Sequence, residues 1–217
     1  SNIPNINILI DVGAHKGETL NLFLKNFKIN KIYSFEASPS TYKLLKKNIK
    51  NFIIDFPNTE IKIENLALGS SEKVISIKHL NESSSSTIKN INRDSKYFKK
   101  KFFFLKNSDN QYLFKKIEVQ QILLSDYIEE NSIKSIDFIK IDTEGYELEV
   151  LKGAKSMLFK TKFILFEHHY DNMIVKNYFF TEIHNFLKQS NFKQIYKSKM
   201  PFRKTFEYIY QNESYEL

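Results

Sequence analysis

Apolar residues in this chain fall into two rhythms, short continuous runs and helical stripes, and the two alternate. Ile8-Leu9-Ile10 leads into Asp11 and Gly13 and predicts a strand over about 7–12, after which Leu20, Phe23, Leu24 and Phe27 recur at helical spacing. A second strand is expected over 31–36, ending on Glu36. Ser38 followed by Pro39 reads as an N-cap with Pro at the first helical position, opening a helix with Leu44, Leu45 and Ile49 on its inner face. Ile61 to Leu68 reads as strand three, stopped by Gly69-Ser70-Ser71, and Val74 to Ile77 alternates as a further strand. Ile117 to Ile122 is another, and Asp126 with Glu129 three residues later reads as a capped short helix. Strand four is Ile136 to Ile141, and Leu148, Val150, Leu151, Ala154 and Leu158 mark the helix behind it. Strand five, Phe163 to Phe166, ends at Glu167-His168-His169. A helix over about 176–190 precedes two strands near 192–197 and 205–210, which Pro201 links into an antiparallel pair.

Strands alternating with helices predict an α/β fold, a mostly parallel sheet covered on both faces. Its 217 residues suit one domain, 1–217. The run Asn81 to Thr87 is a low-complexity loop, and residues 88–116 are basic, aromatic and without a period. Together they read as an insertion or lid over about 80–116.

Composition narrows the picture. There is no cysteine, so neither a disulfide framework nor thiolate chemistry is available. No apolar run approaches bilayer-spanning length and no signal-peptide pattern opens the chain, which fits a cytoplasmic protein. Ser1 stands where a start Met would, leaving room for residues upstream. The formal charge of +8 invites a nucleic-acid reading, but Arg93 and Arg203 are the only arginines and the lysines are dispersed. One cluster stands out, Lys96, Lys99, Lys100 and Lys101 running into Phe102-Phe103-Phe104; exposed, it would suit a sugar face or an anionic glycan.

The first strand carries the chemistry. Strand, Asp11, Gly13, Gly17 and helix start form a turn of the kind that presents backbone N–H groups to a nucleotide-like ligand. Glu36, ending the second strand, can accept hydrogen bonds from both ribose hydroxyls. The turn reads Gly-x-x-x-Gly, not the G-x-G-x-x-G of dinucleotide binders, and Asp11 before it would repel a pyrophosphate. A carboxylate there suits an ammonium group and a sulfonium cation, which S-adenosylmethionine combines.

These motifs together resemble the FkbM-type methyltransferases, within the Rossmann-like S-adenosylmethionine-dependent enzymes. The matching blocks are Ile10 to Gly17, Ser34 to Pro39, Asn65 to Gly69, and Ile139-Lys140-Ile141-Asp142-Thr143-Glu144-Gly145-Tyr146-Glu147 running on into Val150 to Ala154. The resemblance implies a seven-stranded sheet with an antiparallel last strand and the cofactor across the ends of strands one to four. It places Asp11, Gly13, Ala14 and Gly17 around the methionine moiety, with His15 in the same turn and Thr19 towards the methionine carboxylate. It places Glu36 on the ribose, Ala37 beside the adenine with Asn65, Ala67 and Leu68 flanking that ring, and Ser38 among the cofactor contacts. Asp142 counts both as a cofactor contact and as a catalytic candidate.

The activity implied is methyl transfer to oxygen, on a sugar, glycan or related natural product. Its hydroxyl needs a base or a metal. His168 is the first choice as base and His169 the second, with Asp142 and Glu144 behind them. Strand alternation sends Glu167 and His169 one way and His168 the other. Ser86 and Thr87 are weaker candidates. Rival readings are a nucleic-acid methyltransferase, a catechol-like enzyme holding a metal with Asp142, Glu167 and His168, and a non-catalytic scaffold. No metal is expected. Nucleic acid is disfavoured because strand four ends in Asp-Thr-Glu-Gly, and the oligomeric state is open.

Overall fold

The computed structural model describes residues 4–80, 86–87, 90–91, 114–170, 174–201 and 204–215. The first half builds β1 (Asn5–Val12), α1 (Glu18–Asn26), β2 (Lys28–Phe35), α2 (Pro39–Asp55) and β3 (Glu60–Glu64), two successive βαβ units with parallel strands. Short strands β4 (Ala67–Leu68), β5 (Lys73–Leu80), β6 (Ser86–Thr87) and β7 (Asn90–Ile91) follow, then β8 (Phe114–Ile122) and α3 (Leu124–Glu130). The second half comprises β9 (Ile136–Ile141), α4 (Glu147–Ala154), a 3₁₀ turn (Lys155–Lys160) and β10 (Thr161–His169). Strand β11 (Ile174–Val175), α5 (Phe180–Gln189), β12 (Phe192–Lys199) and β13 (Thr205–Asn212) complete it.

Seven strands form the main sheet in the order β12-β13-β10-β9-β1-β2-β3. The five from β10 to β3 are parallel, and β13 runs antiparallel between β10 and β12. This is the Rossmann-like α/β architecture expected from the sequence. Successive residues of β1 serve opposite faces: Leu9 packs with Ile32, Leu20, Leu24, Leu45 and Ile49 under α1 and α2. Ile10 packs with Ile139, Ile164, Phe166, Leu151 and Ile183 under α4 and α5. Each face is thus a separate core, and neither would be dry without its helices. Among the described residues no helix is long and apolar enough to cross a membrane.

Several elements differ from their sequence reading. Strand three stops at Glu64, because Asn65 turns its side chain back onto the carbonyls of Glu36 and Ala37. Ala67–Leu68 then joins a second sheet, β4-β8-β5-β6. The inner stripe of α2 is Thr41, Leu45 and Ile49 at four-residue spacing; Leu44, one position off that stripe, is 46 % exposed. Asp126 lies inside the first turn of α3, where its charge suits the helix dipole, and the cap position is Leu123. The final helix starts at Phe180, where Glu182 accepts the Phe179 N–H at 2.7 Å. Ser86–Thr87, read as loop, pairs with β5. The basic-aromatic segment 96–106 and most of the insertion lie outside the described residues.

Candidate active site at the carboxyl edge of the sheet

The turn after β1 is held by its own chain. Gly13 and Ala14 both donate to the Phe35 carbonyl (2.9 and 3.0 Å), and Gly17 donates to Ala14 O (2.9 Å). His15 N–H goes to Glu36 Oε2 (2.9 Å) and Lys16 N–H to Glu18 Oε2 (3.1 Å). The amides of residues 13–17 are therefore engaged, contrary to the expectation that this turn offers them to a ligand. Thr19 sits on the first turn of α1, where main-chain N–H groups lack intrahelical acceptors. Gly13, at φ +80°, passes so near strand four that an added Cβ would lie 1.9 Å from the Asp142 carbonyl oxygen. The first turn and the Asp142 turn are thus in backbone contact.

Glu36 ties two loops together. Its Oε1 accepts Ser38 N–H at 2.8 Å while Oε2 holds His15. Burial pushes its carboxyl up to about 7, against the pull of the Ser38 and His15 amides. Asn65 Nδ2 donates to Glu36 O (2.8 Å) and Ala37 O (3.1 Å), so it sets this loop from below. Ala37 packs against Ala67, Ile75 and Ile77 in a small apolar cluster, joining two of the residues assigned to the adenine. Leu68 parts from them: it packs into the α4–α5 core.

Apart from His168, the remaining candidates share one face of β1, β9, β10 and β13. Register sets Asp11 beside Lys140, Glu167 beside Glu207, and His169 beside Thr205. Lys140 is buried, with Nζ 3.1 Å from Asp11 Oδ1 and 3.8 Å from Asp142 Oδ2, and it donates to Gly13 O at 3.0 Å. Burial pulls its ammonium down, but Asp11 and Asp142 outweigh that and hold its pKa above the ordinary lysine value. Asp11 is 2 % exposed and, beside its pairing with Lys140, its buried Oδ2 has no hydrogen-bond partner among the described residues.

His169 Nε2 lies 3.2 Å from Glu167 Oε2 and 3.4 Å from Glu144 Oε2, and Nδ1 shares a 3.0 Å hydrogen bond with the Thr205 hydroxyl. Glu144 reaches it from a left-handed position, φ 51°, and Gly145 after it is left-handed too, φ 95°. Burial lifts the Glu144 carboxyl to about 7; His169 opposes the shift, and Asp142, Glu167 and Glu147 add to it.

His168 faces the other way. It is buried among the rings of Tyr170, Tyr178 and Phe180, with centroids at 4.8, 6.0 and 5.7 Å. Its Nδ1 has no hydrogen-bond partner among the described residues, and burial, aided by Lys176 and His169, pulls its pKa down to about 3. The geometry does not bring His168 to the carboxylates, so the trio Asp142, Glu167 and His168 is not assembled on one face. Lys140, Thr205 and Glu207 were not singled out from sequence, whereas Glu147 shared with Asp142 and Glu144 the expectation of a base, metal ligand or cofactor-side acceptor. Lys140 had a readable signal, a charge inside the apolar run Phe138-Ile139-Lys140-Ile141.

Comparisons place this geometry in a family. The chain matches the FkbM methyltransferase domain over residues 11–194. Curated protein sequences give no match. Among solved structures, FkbM methyltransferase from Methylobacillus flagellatus KT superposes with a TM-score of 0.60 at 14 % identity, over 94 % of this chain and 43 % of that one. TrmK of M. capricolum, in complex with S-adenosyl-homocysteine, gives 0.54 at 11 % identity, over 97 % of this chain and 64 % of its own. A proposed tRNA (m1A22) methyltransferase from Streptococcus pneumoniae, in complex with S-adenosyl-L-methionine, gives 0.54 at 12 %, over 99 % and 70 %. At such identities the likeness is one of fold, and the chain spans less than two thirds of the first two proteins. With the domain matched from Asp11 to Gln194 and the sheet order of the fold in place, the chain belongs to the FkbM family of S-adenosylmethionine-dependent methyltransferases.

Proposed function

We propose that this domain methylates a hydroxyl group of a sugar, glycan or related small molecule, with Glu144 as the proton acceptor and His169 as its partner. The observation that carries this is the close set of His169, Glu144, Glu167 and Thr205 at the carboxyl edge, next to the turn at Gly13. Glu144 is the more accessible member, its side chain 27 % exposed against 7 % for His169. A carboxyl poised near 7 matches the demand on a general base working at neutral pH.

S-adenosylmethionine supplies an electrophilic methyl on a positively charged sulfur. The residues that fit it are Asp11, whose open Oδ2 suits its ammonium group, Glu36 for the ribose hydroxyls, and Ala37 with Ala67 for the adenine. Thr19 and the first turn of α1 suit its carboxylate. On the acceptor side, Glu144 Oε2 would take the hydroxyl proton as the oxygen–methyl bond forms and the methyl–sulfur bond breaks, the neutral thioether being the leaving group. His169 Nε2 then shares that proton, and Thr205 holds the ring through Nδ1. Lys140 fixes Asp11 and Gly13 relative to Asp142, which keeps the two halves in line.

One neighbour is described as a proposed tRNA (m1A22) methyltransferase, which keeps RNA in view. The site speaks against a polyanion: Glu167 and Glu207 stand side by side, with Asp142 and Glu144 near and Lys140 opposing their charge. Phosphates would meet like charge there. Methyl transfer measured over saccharide acceptors and unmodified tRNA checks the reading. Transfer to saccharide, reduced about 10²–10⁴-fold in Glu144→Gln, is expected; transfer to RNA alone, or an unaffected variant, would overturn it.

A further inference from the structure

We propose that Glu147 is a positioning residue: it fixes the 142–145 turn so that Glu144 stands against His169. The inference rests on Glu144 being the base. Glu147 is the first residue of α4, 1 % exposed, and no part of it reaches the edge where an acceptor would lie. Its Oε1 accepts three hydrogen bonds from the turn, from Thr143 N (3.3 Å), Thr143 Oγ1 (3.2 Å) and Gly145 N (2.9 Å). These donors flank Glu144 on both sides. Glu147 Oε2 accepts the Tyr178 hydroxyl, from the segment that leads into α5.

Glu144 and Gly145 both have positive φ, and a non-glycine residue stays left-handed only where its surroundings hold it. The three bonds to one oxygen are that hold. The helix N-terminus beneath supplies a further reason for a carboxylate, because its dipole favours negative charge. The arrangement also gives the aromatic face a purpose. Tyr178 packs near His168, so the rings behind the sheet brace the side chain that braces the turn. A simple helix cap would satisfy N–H groups of its own helix; here Thr143 and Gly145 lie before α4, and what they gain is a fixed turn.

Glutamine keeps an oxygen for the turn donors and an amide group that can meet the Tyr178 oxygen, so Glu147→Gln tests geometry apart from charge. Glu147→Leu with Tyr178→Phe removes the hold without stranding the tyrosine hydroxyl. The groups facing Glu144 are His169, Asp142, Glu167 and Glu147. Once the turn relaxes, Glu144 moves from them towards solvent, and the acid limb of kcat against pH should fall from near 7 towards the ordinary carboxylate range. The measurements are kcat and KM for acceptor across pH, S-adenosylhomocysteine affinity by calorimetry and melting temperature, on the whole chain. Expected are a drop in kcat of about 10–100-fold and the shifted limb for the double variant, recovery of most of the rate in Glu147→Gln, and cofactor-product affinity within about threefold. If the double variant does not fold, Glu147→Asp, which draws the carboxylate back by one methylene, should show the same limb shift. An unchanged pH limb in the folded double variant or in Glu147→Asp, or a Gln variant as slow as the double, overturns the proposal. Glu144→Gln in the same assay separates the causes: at wild-type rate it is the base assignment that falls, and this inference with it.

Discussion

Replacing Gly13 by alanine should be the most damaging methyl group that can be added to this chain's first turn. The added Cβ would sit 1.9 Å from the Asp142 carbonyl oxygen and 2.9 Å from its carbon, both backbone atoms in a strand end. Restoring ordinary contact needs a shift of roughly 1.5 Å between the β1 and β9 turns. Two hydrogen bonds cross that gap, Asp142 N–H to Val12 O (2.9 Å) and Lys140 Nζ to Gly13 O (3.0 Å). Stretching both costs on the order of 2–3 kcal/mol. Holding alanine at φ +80° adds about 1–2 kcal/mol. The total, about 3–5 kcal/mol, translates into a melting temperature lower by roughly 6–20 °C for a domain of this size. Gly17→Ala is the control, since φ is +90° there too but the nearest atoms are side-chain ends, Phe52 Cε2 at 3.0 Å and Leu45 Cδ1 at 3.2 Å. That variant should lose only the strain, about 2–8 °C. Circular-dichroism melts of both variants, backed by urea midpoints, decide it. Gly13→Ala melting at or above Gly17→Ala would refute the close approach of the two turns.

His169→Asn should lose about 10²–10⁴-fold in methyl transfer while His168→Asn turns over at a near-normal rate; the reverse order in a methylation assay would return the role to His168. His168 is held neutral with a pKa near 3 against an ordinary 6.5, so the wild type loses stability as pH falls from 6.5 towards 3. His168→Asn should therefore gain relative to wild type over that window, and a difference in urea midpoints that ignores pH would contradict it. Glu36→Ala should weaken S-adenosylhomocysteine binding by about 1.5–3 kcal/mol in calorimetry. Wild-type affinity should rise between pH 6 and 8, since hydroxyl donors favour the ionised form of a carboxyl that titrates near 7; a fall over that range would count against the ribose contact. Chelator treatment should leave turnover intact, and activity restored by magnesium would show that a metal takes part.

The sheet was legible because its strands are buried on both faces, which writes them as continuous apolar runs such as Ile8-Leu9-Ile10 and Phe163 to Phe166. The Ser38-Pro39 start was legible because a cap is a local contact: Thr41 N–H reaches Ser38 Oγ in the same turn. What stayed hidden was non-local. The break after Glu64 depends on Asn65 meeting carbonyls some thirty residues back in sequence. Which of His168 and His169 faces the carboxylates depends on where strand five packs, and the alternation rule could only say that they differ. Thr205 and Glu207 enter the site through the register of β13 on β10, which no window of sequence displays. Leu68 looked like a continuation of strand three, although two residues of turn had already carried it into another sheet.

The insertion of β13 between β10 and β12 has a consequence for the order of assembly. Strand β12 is made before β13, yet its one partner in the main sheet is β13, so it cannot join until its successor exists. The five parallel strands can close first, and with them the Gly13 turn and Glu36; the hairpin of β12 and β13 then forms locally and docks as a unit. Until it docks, β10 is an open edge, exposed to pairing with other chains. The docking step brings Thr205 to His169. A chain with the five parallel strands closed and the hairpin undocked would thus hold the Gly13 turn and Glu36 while lacking the contact between Thr205 and His169.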